Sequence, residues 1–314
     1  MKTVRVVVSC TDSKKVTPVD DLRLRAYPDN FARRSKAWNQ RIGRVKGPTL
    51  KAGDLYKGPH WSVVRELPAA ALSQGVKIDL WVASAGYGLV HVEEQVESYS
   101  ATFSLGSPDS VVRGGSSMAT AELSTWWQSL SERPRRFSSV TSLTELVETS
   151  SRTPLLVALS HSYLRALQDD ILSAEAATDG SGHLLLISAR EGPARIRHLQ
   201  VPFDGRFQGL LGGSLGSLNV RLVRLIIEES QAHKWRSDVI RKVIEDRGRE
   251  LPVLVRPQGE ILTDPQVRGF IRESLKGNPT ASCSTLLREL RQSGRSCEQK
   301  RFSNIFSTIA RPPK

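Results

Sequence analysis

The chain has 314 residues and a formal net charge of +13, with 45 Lys and Arg against 32 Asp and Glu. This length allows one large domain plus a small one, or two medium domains. A hydrophobic content of 39% and a charged content of 25% are typical of a folded protein. No run reaches the roughly 18 apolar residues that a membrane span needs, and the N-terminus turns polar too soon for a secretory signal.

The cysteines exclude two classes of small scaffold. Cys10, Cys283 and Cys297 are few, odd in number and widely spaced, so they predict neither a disulfide framework nor a zinc finger. We therefore expect a cytoplasmic, reduced protein without a membrane anchor, a metal, another cofactor or an obligate protein partner.

Strands alternate with helical patterns along the first 250 residues. The β-branched run at 3–9 predicts a buried strand. Similar runs predict three more strands, at 76–84, 153–160 and 183–188. Apolar residues at helical spacing predict helices between and after them, at 31–42, 60–73, 119–131, 162–172 and 217–231. This alternation predicts an α/β domain over residues 1–250, with an open sheet that is at least partly parallel.

Polar clusters follow all four predicted strands. Ligands of open α/β sheets bind beyond the carboxyl ends of the strands, so these clusters are candidate site residues. They are the segment 9–15 after the first strand, Ser84 to Gly88 after the second, Ser160 and His161 after the third, and Ser188 to Glu191 after the fourth.

A glycine-rich stretch at 205–217 allows further interpretations. Its glycines suit a phosphate at a helix N-terminus, or simply a close contact between helix and strand. Residues 212–216 also match GxSxG, which would make Ser214 a nucleophile. That motif needs a strand directly before it and a suitable histidine later in the chain, and the sequence favours neither.

The basic residues are concentrated in two regions. Residues 31–57 hold eight basic residues and one acid, and residues 264–314 hold ten basic and four acidic residues. The second region reads as three short helices with a glycine at the turn between the last two. It predicts a helix-turn-helix-like unit over residues 251–314. Concentrated positive charge favours a polyanionic partner, most simply nucleic acid. With the helix-turn-helix-like unit, the partner we expect is double-stranded DNA. The predicted phosphate contacts are Lys14, Lys15, Arg33, Arg34, Lys36, Lys300 and Arg301.

The sequence contains no HExxH motif and no carboxylate cluster of the kind used by two-metal nucleases. Hydrolysis of an N-glycosidic bond is a reaction on nucleic acid that needs no metal. Its transition state resembles an oxocarbenium ion, which a carboxylate stabilises, and the base must leave the stack. Asp12 suits the carboxylate role, and Lys14 or Lys15 suits a phosphate contact or a Schiff base with an opened sugar. Tyr56, His60, Tyr87 and Tyr99 are predicted to line the base pocket. Each of these assignments has a plainer structural alternative. In that alternative the aspartate caps a turn, the lysines are solvated and the tyrosines lie in the core.

The segments SCTDSKK, GDLYKGPHW and LWVASAGYGLVHVEEQVESYSATF resemble the motif series of the YaaA-like proteins, over roughly residues 4–105. That resemblance implies a uracil-DNA-glycosylase-like α/β fold. Among such proteins the chain most resembles prokaryotic phage-defence DNA glycosylases that remove glucosylated hydroxymethylcytosine. The resemblance groups further residues around one cleft: Ser9, Cys10, Lys14, Lys15, Tyr56, Gly58, Ser84, Tyr87, Gly88 and Tyr99. Glycosylases of this fold often carry a polar, water-activating residue after the first strand and a histidine in a later loop. Asp12 fits the first position and His161 the second, so the resemblance implies these two as catalytic candidates. The signature motifs of uracil-DNA glycosylase itself are absent.

Three functions follow from these observations. The first is a DNA glycosylase that excises a modified cytosine from phage DNA and leaves abasic sites. The second is a DNA-binding protein without catalytic activity, and the third is an enzyme acting on a modified base in tRNA. A small-molecule enzyme would leave the charge of +13 unexplained.

Overall fold

The computed structural model describes residues 1–113, 118–133, 140–178, 182–229, 235–252 and 259–310. The chain divides into two compact units, Met1–Pro252 and Val253–Lys314. Each unit has its own buried apolar cluster.

The first unit is built on a five-stranded sheet in the order β4-β3-β1-β6-β7. Its strands are β1 (Lys2–Ser9), β3 (Val76–Ser84), β4 (Gly88–His91), β6 (Leu155–Ala158) and β7 (Leu184–Ile187). Strands β3, β1, β6 and β7 are parallel neighbours, and β4 pairs with β3 in the antiparallel sense. The predicted α/β class with an at least partly parallel sheet is therefore confirmed, and four of the five strands are parallel. A separate antiparallel pair joins β2 (Thr49–Lys51) to β5 (Gln95–Glu97).

The helices of this unit come from the amphipathic segments of the chain. They are α1 (Phe31–Ile42), α2 (Ala52–Leu55), α3 (Pro59–Ser73), α4 (Ala119–Ser131), α5 (Leu143–Glu148), α6 (His161–Ala176), α7 (Gln208–Leu211), α8 (Leu218–Glu228) and α9 (Ser237–Glu250). Helices α3 and α8 pack on each other, with α3 also on β3 and α8 on β6 and β7, while α6 packs against α4 and α5. Pro68 lies inside α3, although its missing N–H removes one helical hydrogen bond.

The core of the sheet explains why β1 is its central element. Val4, Val6, Val7 and Val8 are all fully buried. Parallel strands covered on both sides read as nearly continuous apolar runs rather than alternating ones. This run has that character except at Arg5, which is buried and donates to the Leu146 carbonyl. Burial of each such side chain stabilises the fold by about 1.5–3 kcal/mol before the entropy cost of ordering it.

The second unit contains three helices and a two-stranded pair. The helices are α10 (Asp264–Gly277), α11 (Cys283–Gln292) and α12 (Gln299–Ala310), and β8 (Glu260–Ile261) pairs with β9 (Arg295–Ser296). Ser282 caps α11, because its hydroxyl accepts a hydrogen bond from the Thr285 N–H. Ser296 lies in β9, before the last helix.

Among the described residues, no single helix is long and apolar enough to cross a membrane. One bent helix pair, Gly205–Leu211 with Leu215–Glu228, is long and apolar enough only when its two segments are taken together, and these segments meet at an angle of 88°.

Candidate functional site

The carboxyl ends of β3, β1, β6 and β7 lie along one edge of the sheet, because these strands are parallel neighbours. All four polar clusters that follow the predicted strands therefore meet at this edge. It is also the edge at which open α/β sheets bind their ligands.

A buried hydrogen-bonded cluster, here called the tyrosine cluster, occupies this edge; it consists of Cys10, Tyr56, Ser84, Tyr99 and Tyr163. The Cys10 sulfur lies 2.9 Å from the Tyr163 hydroxyl and accepts a hydrogen bond from the Tyr99 hydroxyl at 3.2 Å. The Tyr99 oxygen lies 3.0 Å from the Tyr56 hydroxyl and accepts from the Ser84 hydroxyl at 2.7 Å. These hydrogen bonds connect the ends of β1, β3 and β5 to α6, the helix after β6.

The buried state of the tyrosines decides what they can do. Tyr56, Tyr99 and Tyr163 are at most 5% exposed. Burial, as the main cause, raises the pKa of each phenol well above its ordinary value, so they remain neutral hydrogen-bond donors. Tyr56 and Tyr99, predicted to line a base pocket, have no exposed ring face in this structure. Both belong instead to the buried core of the first unit.

The turn between β3 and β4 is shaped by Ser84. Its hydroxyl accepts hydrogen bonds from the N–H groups of Gly86 and Tyr87. A Cβ added at Gly86 would lie only 2.4 Å from Cδ2 of Tyr99, so the turn needs a glycine there. Tyr87 is buried and donates to the Glu97 carbonyl, and burial raises its pKa. Gly88, with φ of +77°, opens β4. The residues of this turn that were predicted to line a pocket therefore hold the turn in its conformation instead.

Lys14 reaches into the tyrosine cluster from the loop after β1. Its Nζ donates to the Thr11 carbonyl at 3.1 Å and lies 4.3 Å from the ring centroid of Tyr99 and 5.7 Å from that of Tyr56. The residue is 9% exposed, and burial lowers the pKa of its ammonium, while the acidic groups Cys10 and Asp12 act in the opposite direction. Lys14 is therefore a cation–π partner within the fold, not a surface lysine.

Asp12 and Lys15, by contrast, are exposed on this loop. Asp12 still acts on the tyrosine cluster: after burial and Cys10, its charge is among the causes that raise the pKa of Tyr163. The loop itself is held by backbone bonds from Lys15 N–H to the Leu55 carbonyl and from Lys57 N–H to the Ser13 carbonyl. An exposed carboxylate on a fixed loop beside the buried cluster is thus available to a ligand.

His161 opens α6 directly after β6. Its Nδ1 lies 2.9 Å from the Glu191 carbonyl oxygen. A carbonyl oxygen only accepts, so Nδ1 carries a proton, and in the uncharged form of the ring Nε2 is then the acceptor. The side chain is half-buried. The Glu191 carbonyl therefore fixes both the orientation and the tautomer of this imidazole.

His60 is a second histidine near the end of β1. It is 8% exposed, and its Nε2 has no hydrogen-bond partner among the described residues. Burial lowers its pKa to about 4, although the backbone carbonyls of Gly216 and Ser9 act in the opposite direction. It is thus a neutral, buried contact between α3, β1 and the glycine-rich segment.

The glycine-rich segment does not have the setting of a nucleophile elbow. Helix α7, rather than a strand, precedes Gly212, so Ser214 lacks the strand-to-helix turn that GxSxG requires. Gly212 and Gly213 adopt φ of +67° and +72°. A Cβ at Gly213 would lie 2.4 Å from Nε of Arg221. Backbone shape and close packing account for these glycines.

The predicted phosphate contacts are not all at the surface. Arg33 and Lys36 are exposed on α1. Arg34 is 1% exposed and donates to the carbonyls of Pro28, Asp29 and Val111, so in this structure it is a packing residue that no phosphate reaches.

The predicted contacts of the second unit also differ from one another. Arg301 donates from Nε to Asp264 at 2.6 Å and from Nη2 to the Leu262 carbonyl, which ties α12 to the start of α10. Lys300 lies in α12, but its side chain falls outside the described residues.

No protein-family model, curated protein or solved structure matches this chain. Among the described residues, no group of three His, Cys, Asp or Glu side chains is placed to hold a metal ion.

Sequence reasoning included Gly86 and Glu191 in the strand-end clusters but did not single out Tyr163. Tyr163 follows His161 by two residues, so the segment SHSY after β6 was a usable signal. Nothing in the sequence shows that the Glu191 carbonyl bonds His161, because 30 residues separate them.

Proposed function

We propose that the protein is a DNA glycosylase that excises a modified cytosine, glucosylated hydroxymethylcytosine, from phage DNA in antiviral defence. The observation that carries the proposal is the arrangement at the ends of β1 and β6. There Asp12 offers an exposed carboxylate, and His161 offers an imidazole whose Nδ1 is held by the Glu191 carbonyl. The identity of the base rests on the sequence resemblance.

The proposed reaction breaks the C1′–N bond of the flipped nucleotide, and the bonding electron pair leaves with the base. The Asp12 carboxylate stabilises the positive charge that develops on the sugar. Nε2 of His161 accepts a proton from the attacking water as its oxygen bonds to C1′, and the departing base takes up that proton. The products are the free base and an abasic site.

The buried framework supports this proposal through rigidity. Catalytic groups must be held close to their productive positions. The tyrosine cluster and the cation–π contact of Lys14 fix the loop that carries Asp12. The net charge of +13, with exposed Lys15, Arg33 and Lys36, suits attraction of a DNA duplex through its phosphates.

The test uses genomic DNA with ordinary, hydroxymethylated or glucosylated cytosine, incubated with the protein without added metal. Abasic sites and released base are then measured. We expect release from the glucosylated DNA alone. Asp12→Asn and His161→Asn should each lower the rate by about 10²-fold or more while the protein still binds DNA. Asp20→Asn is the matched control, because that carboxylate is also exposed and should change the rate less than about twofold.

Two outcomes would contradict the proposal. Salt-sensitive binding without base release from any of the three DNAs would favour the non-catalytic alternative. Selective retention of tRNA over duplex DNA from a cell lysate would favour the enzyme acting on RNA.

A further inference from the structure

We propose that the groove between α11 and α12 binds the phosphate backbone of duplex DNA, through Arg288 and Arg291 rather than through Arg301. This inference deepens the proposed function, on which it rests for the identity of the partner. The groove encloses about 680 Å³ and lies entirely within the second unit. Its polar lining residues include Ser284, Arg288, Arg291 and Gln292 on α11, Gln299 and Ser303 on α12, and the α11 cap Ser282.

The helical spacing places these side chains in two facing rows. Ser284, Arg288, Arg291 and Gln292 recur at i, i+4, i+7 and i+8 on α11, so they form one stripe. Gln299 and Ser303, four residues apart, face them from α12. Leu286 and Leu290 point instead into the core of the unit, where each is at most 1% exposed. Leu287 is 5% exposed and lines the groove as well as contributing to that core. The same amphipathic pattern that folds the unit therefore aligns its polar donors along the groove.

The charge of this groove differs from that of its neighbours. Its described lining residues include two arginines and no carboxylate. The groove of about 340 Å³ that includes Arg301 also contains Asp264 and Glu298, and a third, of about 590 Å³, contains Glu260 and Glu273. Positive charge without local acids is the arrangement that attracts a polyanion.

Arg288 and Arg291 are also free to contact a phosphate. Among the described residues, Arg288 has no hydrogen bond or ion pair, and Arg291 has one long contact of 3.5 Å to the Cys297 carbonyl. Arg301, by contrast, is bonded to Asp264 and to the Leu262 carbonyl. A phosphate contact by Arg301 would first have to break those bonds.

The lining favours nucleic acid over a membrane. The exposed large apolar side chain of the described part of this unit is Ile261, which does not line the groove. Membrane-surface segments need apolar side chains to insert. Serine, glutamine and arginine donors instead are the residue types that bond phosphate oxygens. The hydroxyls of Ser282 and Ser284 stand at the positive, N-terminal end of α11, which adds to the attraction.

The test measures binding of the full-length protein to a fluorescent, unmodified duplex by anisotropy over a range of salt concentrations. The double variant Arg288→Ala/Arg291→Ala should bind at least tenfold more weakly. Its slope of log K against log salt should be shallower by about 2, since each lost phosphate contact removes about 0.9. The control Arg268→Ala/Arg272→Ala removes the same charge from α10 and should weaken binding less than about threefold.

A third variant, Arg288→Lys/Arg291→Lys, separates loss of contact from loss of folding. It keeps the charge, so it should retain most of the affinity. If it binds as weakly as the alanine variant, or if the groove and control pairs lose equal affinity, the inference is overturned. Equal competition by polyglutamate, or preference for tRNA over the duplex, would also overturn it in favour of an acidic protein or an RNA.

The outcome for this groove is separable from that for the glycosylase. Binding that depends on the groove, without base release from glucosylated DNA, would reject the proposed function and support the DNA-binding surface. Base release by wild-type protein, together with unchanged binding by the Arg288→Ala/Arg291→Ala variant, would reject the surface alone.

Discussion

The Cys10 sulfur and the Tyr163 hydroxyl lie 2.9 Å apart, although 153 residues separate them in the chain. Cys10 directly follows the central strand β1, and Tyr163 lies in the first turn of α6. This contact joins the loop that carries Asp12 to the helix that carries His161. The candidate catalytic groups are thus positioned by one buried network.

Tyr163→Phe tests the contribution of that contact to stability. Phenylalanine keeps the edge-to-face contact with Phe103, whose ring centroid lies 4.8 Å away, but it removes the hydroxyl. We expect the free energy of unfolding to fall by about 1 kcal/mol, measured by urea denaturation at constant m-value. Tyr27→Phe, which removes an exposed hydroxyl bond to the Asp21 carbonyl, is the control. An equal loss in both variants would contradict the prediction.

Buried His60 should make stability depend on pH. Its pKa is about 4 in the folded protein, below the ordinary value of 6.5, so the unfolded chain binds the proton more readily between these values. The contribution of neutral His60 to the free energy of unfolding is therefore fully present above pH 6.5. It is lost as the pH drops toward 4, and the total loss is about 3 kcal/mol. His60→Gln removes this titration, so the unfolding free energy of the variant should vary less over that range. Identical pH profiles for both proteins would refute this assignment.

Gly86→Ala tests the close approach of the β3–β4 turn to Tyr99. The new Cβ would lie 2.4 Å from the Tyr99 ring, and we expect a loss of about 1–3 kcal/mol. Trp38 Nε1 donates to the Gly86 carbonyl, so tryptophan fluorescence should report the displaced turn. Gly209→Ala has open space around its Cβ and should leave both stability and emission nearly unchanged. A Gly86→Ala protein with wild-type stability and emission would contradict the prediction, because it would show that the Tyr99 ring moves aside at little cost in free energy.

Arg41→Met tests the buried ion pair with Glu97. The side chains are 7% and 4% exposed, and Arg41 Nη1 lies 3.0 Å from the carboxylate. Removing the arginine leaves a buried carboxylate without its main counter-charge, which we expect to cost about 3–5 kcal/mol. Arg236→Met breaks an exposed pair with Asp238 and should cost less than about 1 kcal/mol. Thermal unfolding of both variants measures the difference, and similar melting temperatures would contradict it.

The local patterns of the sequence determined the helices and strands well. The valine-rich segment of β1, the segment VKIDLWVAS of β3 and the amphipathic segments at 31–42 and 119–131 all form the predicted elements. Local apolar periodicity encodes such elements directly. The short antiparallel strand β4 was not predicted, since its four residues carry too little pattern to separate it from a loop.

The tertiary structure alone decided which polar residues are exposed. Arg33 and Arg34 are adjacent in sequence, yet one is exposed and the other is 1% exposed. Asp12 and Lys14 lie on the same loop, and only Asp12 faces solvent. Exposure depends on contacts with residues far along the chain, such as the Val111 carbonyl for Arg34 and the Tyr99 ring for Lys14. Charge and residue type thus identified the candidate surface and edge, whereas long-range packing decided which side chains a ligand can reach.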